Sequence, residues 1–292
     1  MNIALYNRNF RKEMFPVVKR LFSLLEMEDF HLIIHKEFYE RIIQDIEFKK
    51  EVRLFSSHVD LPSETDFFIS LGGDGTMLDT VCFVHDSNIP IIGINFGRLG
   101  FLADITNKEI ELAISGIKNG AYSIDKRSLI HLDSNPELFG AHPYALNEIT
   151  LHRQDSSQMI KIHTYINGDF LNTYWADGLI VSTPTGSTGY SLSCNGPLIF
   201  PQTSSFVITP VAPHNLNIRP LIVPDNSVIT FEVEGRSDQF LCTLDSRMEL
   251  ITKDVQLAVR KENFSISLVR LHEHNFMKTI REKLNWGIDK RN

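Results

Sequence analysis

Ile69-Ser70-Leu71-Gly72-Gly73-Asp74-Gly75-Thr76 is the stretch of this sequence that decides the fold. The apolar run 66–71 predicts a short buried strand, the two glycines end it, and residues 76–84 have the character of a helix. A strand, a glycine turn and a helix start together form an anion-binding site from free N–H groups and the helix dipole. The carboxylate of Asp74 within this turn indicates a proton acceptor or a metal ligand, and the alternative is a plain Asp-Gly turn pair.

The segments on either side of this stretch alternate between strand and helix patterns. We predict strands at 2–6, 31–35, 66–71 and 90–95 and helices at 11–28, 36–50 and 76–86. Such alternation predicts a parallel sheet covered on both faces, a Rossmann-like α/β domain spanning residues 1–118. Ligands of these sheets bind at the carboxyl ends of the strands, which is where Gly72 and Gly73 fall.

A second glycine turn, Gly97-Arg98-Leu99-Gly100-Phe101-Leu102, follows the predicted strand 90–95. We expect it to face the same cleft as the first turn, because it also follows the end of a strand. Arg98 has two interpretations that the sequence leaves open, a phosphate ligand or the partner of an acid.

From about residue 120 the helical periodicity fades and β patterns dominate. The predicted strands are 122–132, 144–153, 160–166, 179–182, 205–209, 228–233, 240–244, 255–260 and 264–271. Asn167-Gly168 between two β runs predicts a hairpin. We therefore predict a mainly-β domain over 119–272 and a C-terminal helix within 273–292, over 276–286, that packs back on the first domain.

The second segment rich in polar chemistry runs from Ala176 to Ser193 and includes Thr183-Pro184-Thr185-Gly186-Ser187-Thr188-Gly189-Tyr190-Ser191. Hydroxyl and N–H donors at a helix start suit phosphate or ribose oxygens, while a capped helix behind a Ser/Thr-rich turn is the alternative. Tyr190 offers a flat face to a base or a core contact. Asn147-Glu148 and His214 are candidates of the same kind, with a solvent-facing strand pair and an ordinary loop histidine as their alternatives.

Composition limits the classes of partner. The chain has 292 residues, 42% of them hydrophobic, and a formal net charge of −7, so the overall balance does not indicate a nucleic-acid-binding protein. Three distant cysteines, Cys82, Cys194 and Cys242, favour reduced thiols over a zinc site or disulfides. We expect no membrane span, because no apolar run approaches 18 residues, and no secretion signal, which leaves the cytoplasm as the expected compartment.

Taken together, these segments resemble the NAD kinase family. The matching motifs are Gly72 to Thr76, Gly97 to Leu102, Asn147-Glu148, Asp177 to Ser193, Gly196-Pro197 and Ala212-Pro213-His214. The glycine motif alone also occurs in phosphofructokinases and in diacylglycerol and sphingosine kinases, so the lipid kinase and the sugar kinase are rival interpretations. A dinucleotide-binding regulator without catalysis is a third. The Thr-Gly-Tyr-Ser run with Asn-Glu upstream is far more specific to the NAD kinases.

The resemblance implies phosphorylation of the adenosine 2′-hydroxyl of NAD by ATP with a divalent metal, usually Mg²⁺, and a homo-oligomer, either dimer or tetramer. It implies that Asp74 accepts the proton, that Gly75 contacts the dinucleotide, that Asn147 and Glu148 hold the adenosine half, and that Asp177 lies near the nicotinamide end. The remaining cofactor-binding residues that it implies are Gly72, Gly73, Thr76, Trp175, Thr185, Thr188, Gly189, Tyr190, Ser191, Leu192, Ser193 and Ala212.

The chain departs from the pattern of its relatives at two positions. Asp79 stands where many relatives carry a basic residue, and Trp175 stands where some carry Arg. Because the sequence also lacks a P-loop lysine, we expect the metal and the backbone donors around Gly72–Thr76 to carry more of the phosphate charge. The resemblance leaves ATP and polyphosphate as alternative donors, and NAD and NADH as alternative acceptors.

Overall fold

The structure is a computed structural model that describes residues 1–97, 100–154, 158–271 and 275–286. The chain forms two compact units, the first made of residues 1–126 and 266–292 and the second of residues 127–265. These units begin and end at other residues than the segments 1–118, 119–272 and 273–292, whose status as separate domains stays a prediction.

The first unit opens with alternating strands and helices. Its strands are β1 (Asn2–Tyr6), β2 (His31–His35), β3 (Arg53–Phe55), β4 (Phe67–Leu71), β5 (Ile91–Asn95) and β6 (Ile105–Thr106), and its helices are α1 (Phe15–Met27), α2 (Lys36–Ile42), α3 (Asp74–Val84) and α4 (Ile110–Asn119). The strand order β5-β4-β1-β2-β3 is parallel at every pairing, with β6 parallel to β5. Both faces of β4 and β5 are buried, as expected of a parallel sheet between helical layers.

The chain then turns to β structure. The strands are β7 (Ser123–Asn135), β8 (Tyr144–Ala145), β9 (Glu148–Arg153), β10 (Ile160–Ile166), β11 (Asp169–Ala176), β12 (Gly178–Ser182), β13 (Ser205–Val211), β14 (Leu221–Pro224), β15 (Ile229–Glu234), β16 (Phe240–Leu244), β17 (Arg247–Ile251) and β18 (Gln256–Arg270), with a short helix α5 (Tyr190–Ser193). One antiparallel sheet of the second unit has the order β14-β13-β12-β9-β16-β17. A second set of antiparallel neighbours has the order β11-β10-β15-β18. The mainly-β character predicted for this half is confirmed.

The predicted hairpin at Asn167-Gly168 joins β10 to β11. Both residues have positive φ, 53° at Asn167 and 88° at Gly168, which is the backbone that a two-residue type I′ turn requires. The hairpin prediction from sequence is therefore confirmed.

The last helix, α6 (Phe276–Leu284), packs back on the first unit as predicted. Its side chain Phe276 contacts the ring of Phe101 at a centroid distance of 6.4 Å. The side chain of Asn275 caps the helix by accepting a hydrogen bond from the Lys278 N–H at 2.9 Å.

Three elements differ from their predictions. Helix α2 ends at Ile42 rather than at 50, because the Phe48 ring packs against Phe22 at 5.2 Å and the Lys49 N–H donates to Glu26 at 2.9 Å instead of to a helical carbonyl. Helix α4 was not predicted. The strands predicted at 255–260 and 264–271 are one continuous strand, β18.

Each unit has its own apolar core. Helix α1 buries Val18, Leu21, Phe22 and Leu25 at helical spacing against the first sheet. The second core lies among the strands of the second unit and includes Phe206, Phe240 and Cys242. Within the described residues, no helix has the length and apolar character needed to span a bilayer.

Candidate active site

The glycine turn lies at the carboxyl end of β4, as the sequence predicts. Gly72 has φ +155°, and a Cβ at this position would lie 2.9 Å from Cβ of Thr76, so the turn requires glycine. Gly73 caps α3, since its carbonyl accepts from the Thr76 N–H at 3.0 Å. Asp74 and Gly75 then form the first turn of α3, where a carboxylate is stabilised by the helix dipole.

The carboxylate of Asp74 is held by the second glycine turn. Oδ2 accepts from the Phe101 N–H at 2.9 Å, and Oδ1 accepts from the N–H groups of Leu102 at 3.0 Å and Ala103 at 3.1 Å. Gly100 makes this approach possible, because a Cβ there would lie 2.8 Å from Cγ of Asp74. The two glycine turns thus meet in the first unit, as predicted, although Arg98 itself lies outside the described residues.

Arg270 in turn holds the loop that binds Asp74. Its guanidinium donates to the carbonyls of Phe101 and Leu102 at 3.4 Å each, pairs with Asp125 at 3.3 Å and forms an ion pair with Asp104. The three charged side chains are almost wholly buried. Such a network fixes the three N–H donors relative to one another.

A lysine from α6 completes the surroundings of Asp74. Nζ of Lys283 lies 3.3 Å from Oδ2 of Asp74 and 4.5 Å from the centroid of the Phe101 ring. Both charged side chains keep about a third of their surface exposed, 33% for Lys283 and 30% for Asp74. The cation and the carboxylate can therefore both be reached by a ligand.

Asp79, the first departure from the family pattern, uses its carboxylate to bind neighbouring side chains. Its carboxylate accepts from the hydroxyl of Tyr6 at 3.2 Å and pairs with Arg8 at 3.4 Å. Burial and the charge of Asp79 raise the pKa of the Tyr6 hydroxyl above its usual range. This acid joins α3 to the end of β1.

In the second unit Asn147 directly precedes β9 and Glu148 begins it, and a buried acid fixes their backbone. Asp245 accepts from the N–H groups of Leu146 at 2.8 Å, Asn147 at 2.8 Å and Glu148 at 3.1 Å. Burial raises the pKa of Asp245. Asp245 itself has a positive φ of 52°, in the region where Asp is among the tolerated residues.

The side chain of Glu148 is the most perturbed acid of this group. Burial, with a smaller contribution from the charge of Asp245, raises its pKa to about 8, while the Tyr190 N–H acts in the opposite direction. Its Oε2 is buried and has no hydrogen-bond partner among the described residues. A buried polar atom of this kind is a candidate contact for a ligand.

The segment from Thr183 to Ser193 uses several of its hydroxyls internally. Thr185 accepts from Arg127 at 3.1 Å, Thr188 donates to the Thr185 carbonyl at 3.1 Å, and the hydroxyls of Ser191 and Thr209 lie 2.9 Å apart. Those three hydroxyls build the turn and hold it. Among the predicted contacts of this segment, the exposed or partly exposed residues are Thr188, Gly189, Tyr190, Leu192 and Ser193.

Trp175, Asp177 and Ala212 lie around the end of β11. The indole of Trp175 stacks on the His214 ring at 4.5 Å, and Arg153 pairs with the Asp177 carboxylate at 3.0 Å. Ala212 takes a positive φ of 45°, a strained backbone for a residue with a Cβ. A cavity of about 580 Å³ opens beside Trp175, and its lining consists of Lys161, Thr173, Trp175, His214, Asn215, Leu216 and Asn217.

The structure thus groups the predicted residues by unit. Gly72, Gly73, Asp74, Gly75 and Thr76 form one turn of the first unit. The others lie in the second unit, where Glu148 lies beside the Tyr190 N–H and Trp175 stacks on His214. Their roles toward a ligand remain predictions.

The sequence reasoning missed three charged residues, Asp245, Arg270 and Lys283. Asp245 had a usable signal, an acid in the predicted connection after a β run, but its partners are about a hundred residues away. Arg270 and Lys283 gave no local signal, since their partners in the loops around 74 and 101–104 are distant in sequence.

Comparisons with known proteins give a single family along the chain. Sequence models of the ATP-NAD kinase N-terminal domain and C-terminal domain match residues 3–122 and 146–271. The chain is 48% identical over 293 residues to an NAD kinase of Cytophaga hutchinsonii and 44% identical over 294 residues to one of Flavobacterium psychrophilum, with both proteins of each pair covered in full.

Solved structures share the fold. A crystal structure of yeast NADH kinase complexed with NADH superposes with a TM-score of 0.87 at 23% identity, covering 99% of this chain and 88% of that one. An NAD kinase from Archaeoglobus fulgidus in complex with ATP gives a TM-score of 0.72 at 24% identity, covering 96% of this chain and 99% of that one. The full-length relatives and the two matching domain models confirm the resemblance drawn from the motifs: this chain belongs to the ATP-NAD kinase family.

Proposed function

We propose that this chain transfers the γ-phosphoryl group of ATP to the 2′-hydroxyl of the adenosine ribose of NAD and releases NADP and ADP. The observation that carries the proposal is the carboxylate of Asp74, which stands in the first turn of α3 and accepts from the N–H groups of Phe101, Leu102 and Ala103. Family membership supplies the reaction class, and the NADH and ATP complexes of the two solved relatives support the two substrates.

Asp74 is the proton acceptor in this proposal. A phosphoryl group passes through a loose transition state, so catalysis depends mainly on alignment and charge neutralisation. The ribose hydroxyl donates a hydrogen bond to the carboxylate, which orients the attacking oxygen and takes its proton as the new O–P bond forms. General-base assistance of this kind contributes about 10²–10⁴-fold.

The second unit contributes contacts to the dinucleotide in the same proposal. Asn147 and Glu148 hold the adenosine half, and the support for Glu148 is its buried Oε2, which lacks a partner among the described residues. Tyr190, which is 40% exposed in this structure, lies against a base. Asp177 and Trp175 lie toward the nicotinamide end. Thr185 and Ser191 hold the turn in shape through the hydrogen bonds described above.

The proposed reaction also uses Mg²⁺, which is expected to bind together with ATP. No cluster of three or more His, Cys, Asp or Glu side chains suited to a metal occurs in the described parts of the chain. Mg²⁺ usually keeps several waters and binds largely through substrate phosphates, so in this proposal the ion arrives with ATP and is held mainly by the phosphate oxygens. When bound, the ion neutralises charge on the transferring phosphoryl group.

We place the enzyme in the cytoplasm as a homo-oligomer. All three cysteines lie among the described residues, and none of them forms a disulfide there, which suits a reducing compartment. The edge strand β14 exposes Leu221 and Ile222, and an exposed apolar sheet edge suits contact with a second copy.

The test is NADP formation from ATP, Mg²⁺ and NAD, coupled to an NADP-specific dehydrogenase and repeated with NADH and polyphosphate. We expect Asp74→Asn to lower turnover about 10²–10⁴-fold, because an amide cannot take the proton. Asp79→Asn is the matched control on the same helix and should leave turnover within about twofold, since the Asp79 carboxylate pairs with Tyr6 and Arg8. Full turnover in Asp74→Asn would remove Asp74 from the chemistry.

A further inference from the structure

The hydrogen bonds of Asp74 leave no acceptor position for a substrate hydroxyl. A carboxylate has about four lone-pair positions, two on each oxygen. Oδ1 accepts from two N–H groups, and Oδ2 accepts from the Phe101 N–H and from the Lys283 ammonium. Three of these donors belong to backbone that Arg270 holds in place, so Lys283 is the donor that can leave.

Lys283 combines a long, flexible side chain with a backbone position on helix α6. The Asn275 side chain caps the first turn of helix α6, and the contact of Phe276 with Phe101 joins the helix to the second glycine turn. The ammonium of Lys283, 4.5 Å from the centre of the Phe101 ring, ends a long flexible side chain that is one-third exposed. A small rotation of this side chain moves a positive charge by several ångströms without moving the helix.

We propose that Lys283 is a phosphate-binding residue that exchanges partners during the reaction. Without nucleotide its ammonium occupies the fourth acceptor position of Asp74. When ATP binds, the ammonium moves from the carboxylate to the phosphate oxygens, and the vacated position on Oδ2 accepts the hydrogen bond of the ribose hydroxyl. The inference rests on the proposed function, because it assumes that ATP phosphates reach the turn that carries Asp74.

Charge is the reason for the exchange. A polyphosphate carries several negative charges, whereas Asp74 carries one and is already hydrogen-bonded by three N–H groups. An ammonium is a compact point charge that suits phosphate oxygens, and the chain lacks the glycine-rich loop with lysine that supplies this charge in other nucleotide-binding proteins. Lys283 reaches the same place from the far end of the chain.

The experiment compares Lys283→Met, Lys283→Gln and Lys283→Arg with Lys278→Met. Lys278 is the matched control, because it is a lysine of the same helix about 140° around the axis from Lys283. Binding of MgATP and of NAD is measured by calorimetry, and turnover by the coupled assay. Circular dichroism and the melting temperature show that each variant is folded.

We expect Lys283→Met and Lys283→Gln to weaken MgATP binding at least tenfold, equivalent to about 1.4 kcal/mol, without weakening NAD binding. Lys283→Arg should restore most of the affinity and Lys278→Met should match the parent. Equal MgATP affinity in Lys283→Met and Lys278→Met would overturn the proposal. Tighter MgATP binding or faster turnover in Lys283→Met would also overturn it, since Lys283 would then only block Asp74.

The two proposals can fail separately. If the parent protein forms no NADP under any of the donor and acceptor pairs, the proposed function fails. The MgATP affinities of the Lys283 variants still decide whether this side chain binds phosphate.

Discussion

The unusual acid Glu148 makes the stability of this protein depend on pH in a direction that can be measured. Its carboxyl is buried, Oε2 has no hydrogen-bond partner among the described residues, and the ionised form lies near the charge of Asp245. These surroundings favour the protonated form in the folded chain. Glu148→Gln is the test variant, because Gln has nearly the same shape and is neutral at every pH.

The size of the effect follows from two pKa values. Glu148 has a pKa of about 8 in the folded chain against 4.5 for the ordinary side chain. Between these values the folded state holds a proton that the unfolded state has lost, so stability falls as pH rises, by about 1.36 kcal/mol per pH unit. From pH 5.5 to 7.5 the free energy of unfolding should therefore fall by roughly 2–3 kcal/mol through Glu148.

The assay is urea unfolding of the parent and of Glu148→Gln at pH 5.5, 6.5 and 7.5. His35 acts in the opposite direction, because burial lowers its pKa and acid destabilises the folded chain, but it is present in both proteins and cancels in the difference. The stability advantage of Glu148→Gln over the parent should grow by roughly 2–3 kcal/mol from pH 5.5 to 7.5. Parallel pH dependences of the two proteins would refute a protonated Glu148.

Two further predictions concern the loop that holds Asp74. Gly100→Ala should cost about 1–3 kcal/mol in urea unfolding and lower turnover, because the new methyl group would lie 2.8 Å from Cγ of Asp74. Gly75→Ala, the control with no atom within 4 Å of its added Cβ, should raise stability by up to about 1 kcal/mol, and equal stabilities would contradict the packing argument. Arg270→Met should lower the free energy of unfolding by about 3 kcal/mol, since it takes the guanidinium from two buried carboxylates. The stability of Arg270→Lys should lie between that of the parent and that of Arg270→Met. A loss under about 1 kcal/mol in Arg270→Met would contradict this role of Arg270.

The parts of the fold that could be predicted are those whose cause is local. The strand pattern of residues 67–71, the glycine turn after it and the Asn167-Gly168 hairpin depend on the residues of the element itself, and all three form as predicted. Helix α2 is shorter than predicted because its end is decided by Phe22 and Glu26 of another helix. Local periodicity contains no information about such a partner.

The same distinction separates the predicted site residues from the missed ones. Asp74 and Glu148 stand in motifs, so the sequence singles them out. Asp245, Arg270 and Lys283 act on those motifs from about 100 to 210 residues away, through contacts that exist only after the chain has folded. Their residue types are ordinary in the sequence, and only the three-dimensional structure makes them candidates.

The two acids of the motifs are equipped for opposite tasks. Asp74 is surrounded by donors, three N–H groups and an ammonium, which satisfy a carboxylate and leave it to accept from a hydroxyl once one donor departs. Glu148 lies in a buried place with another acid nearby, which favours a neutral carboxyl that can donate its proton to an acceptor. If Glu148 holds the adenosine half as a donor, NAD affinity should fall as pH rises through 8 in the parent and stay level in Glu148→Gln, whose amide donates at every pH. Such a result would support the proposed division between Glu148 as a donor to the dinucleotide and Asp74 as an acceptor.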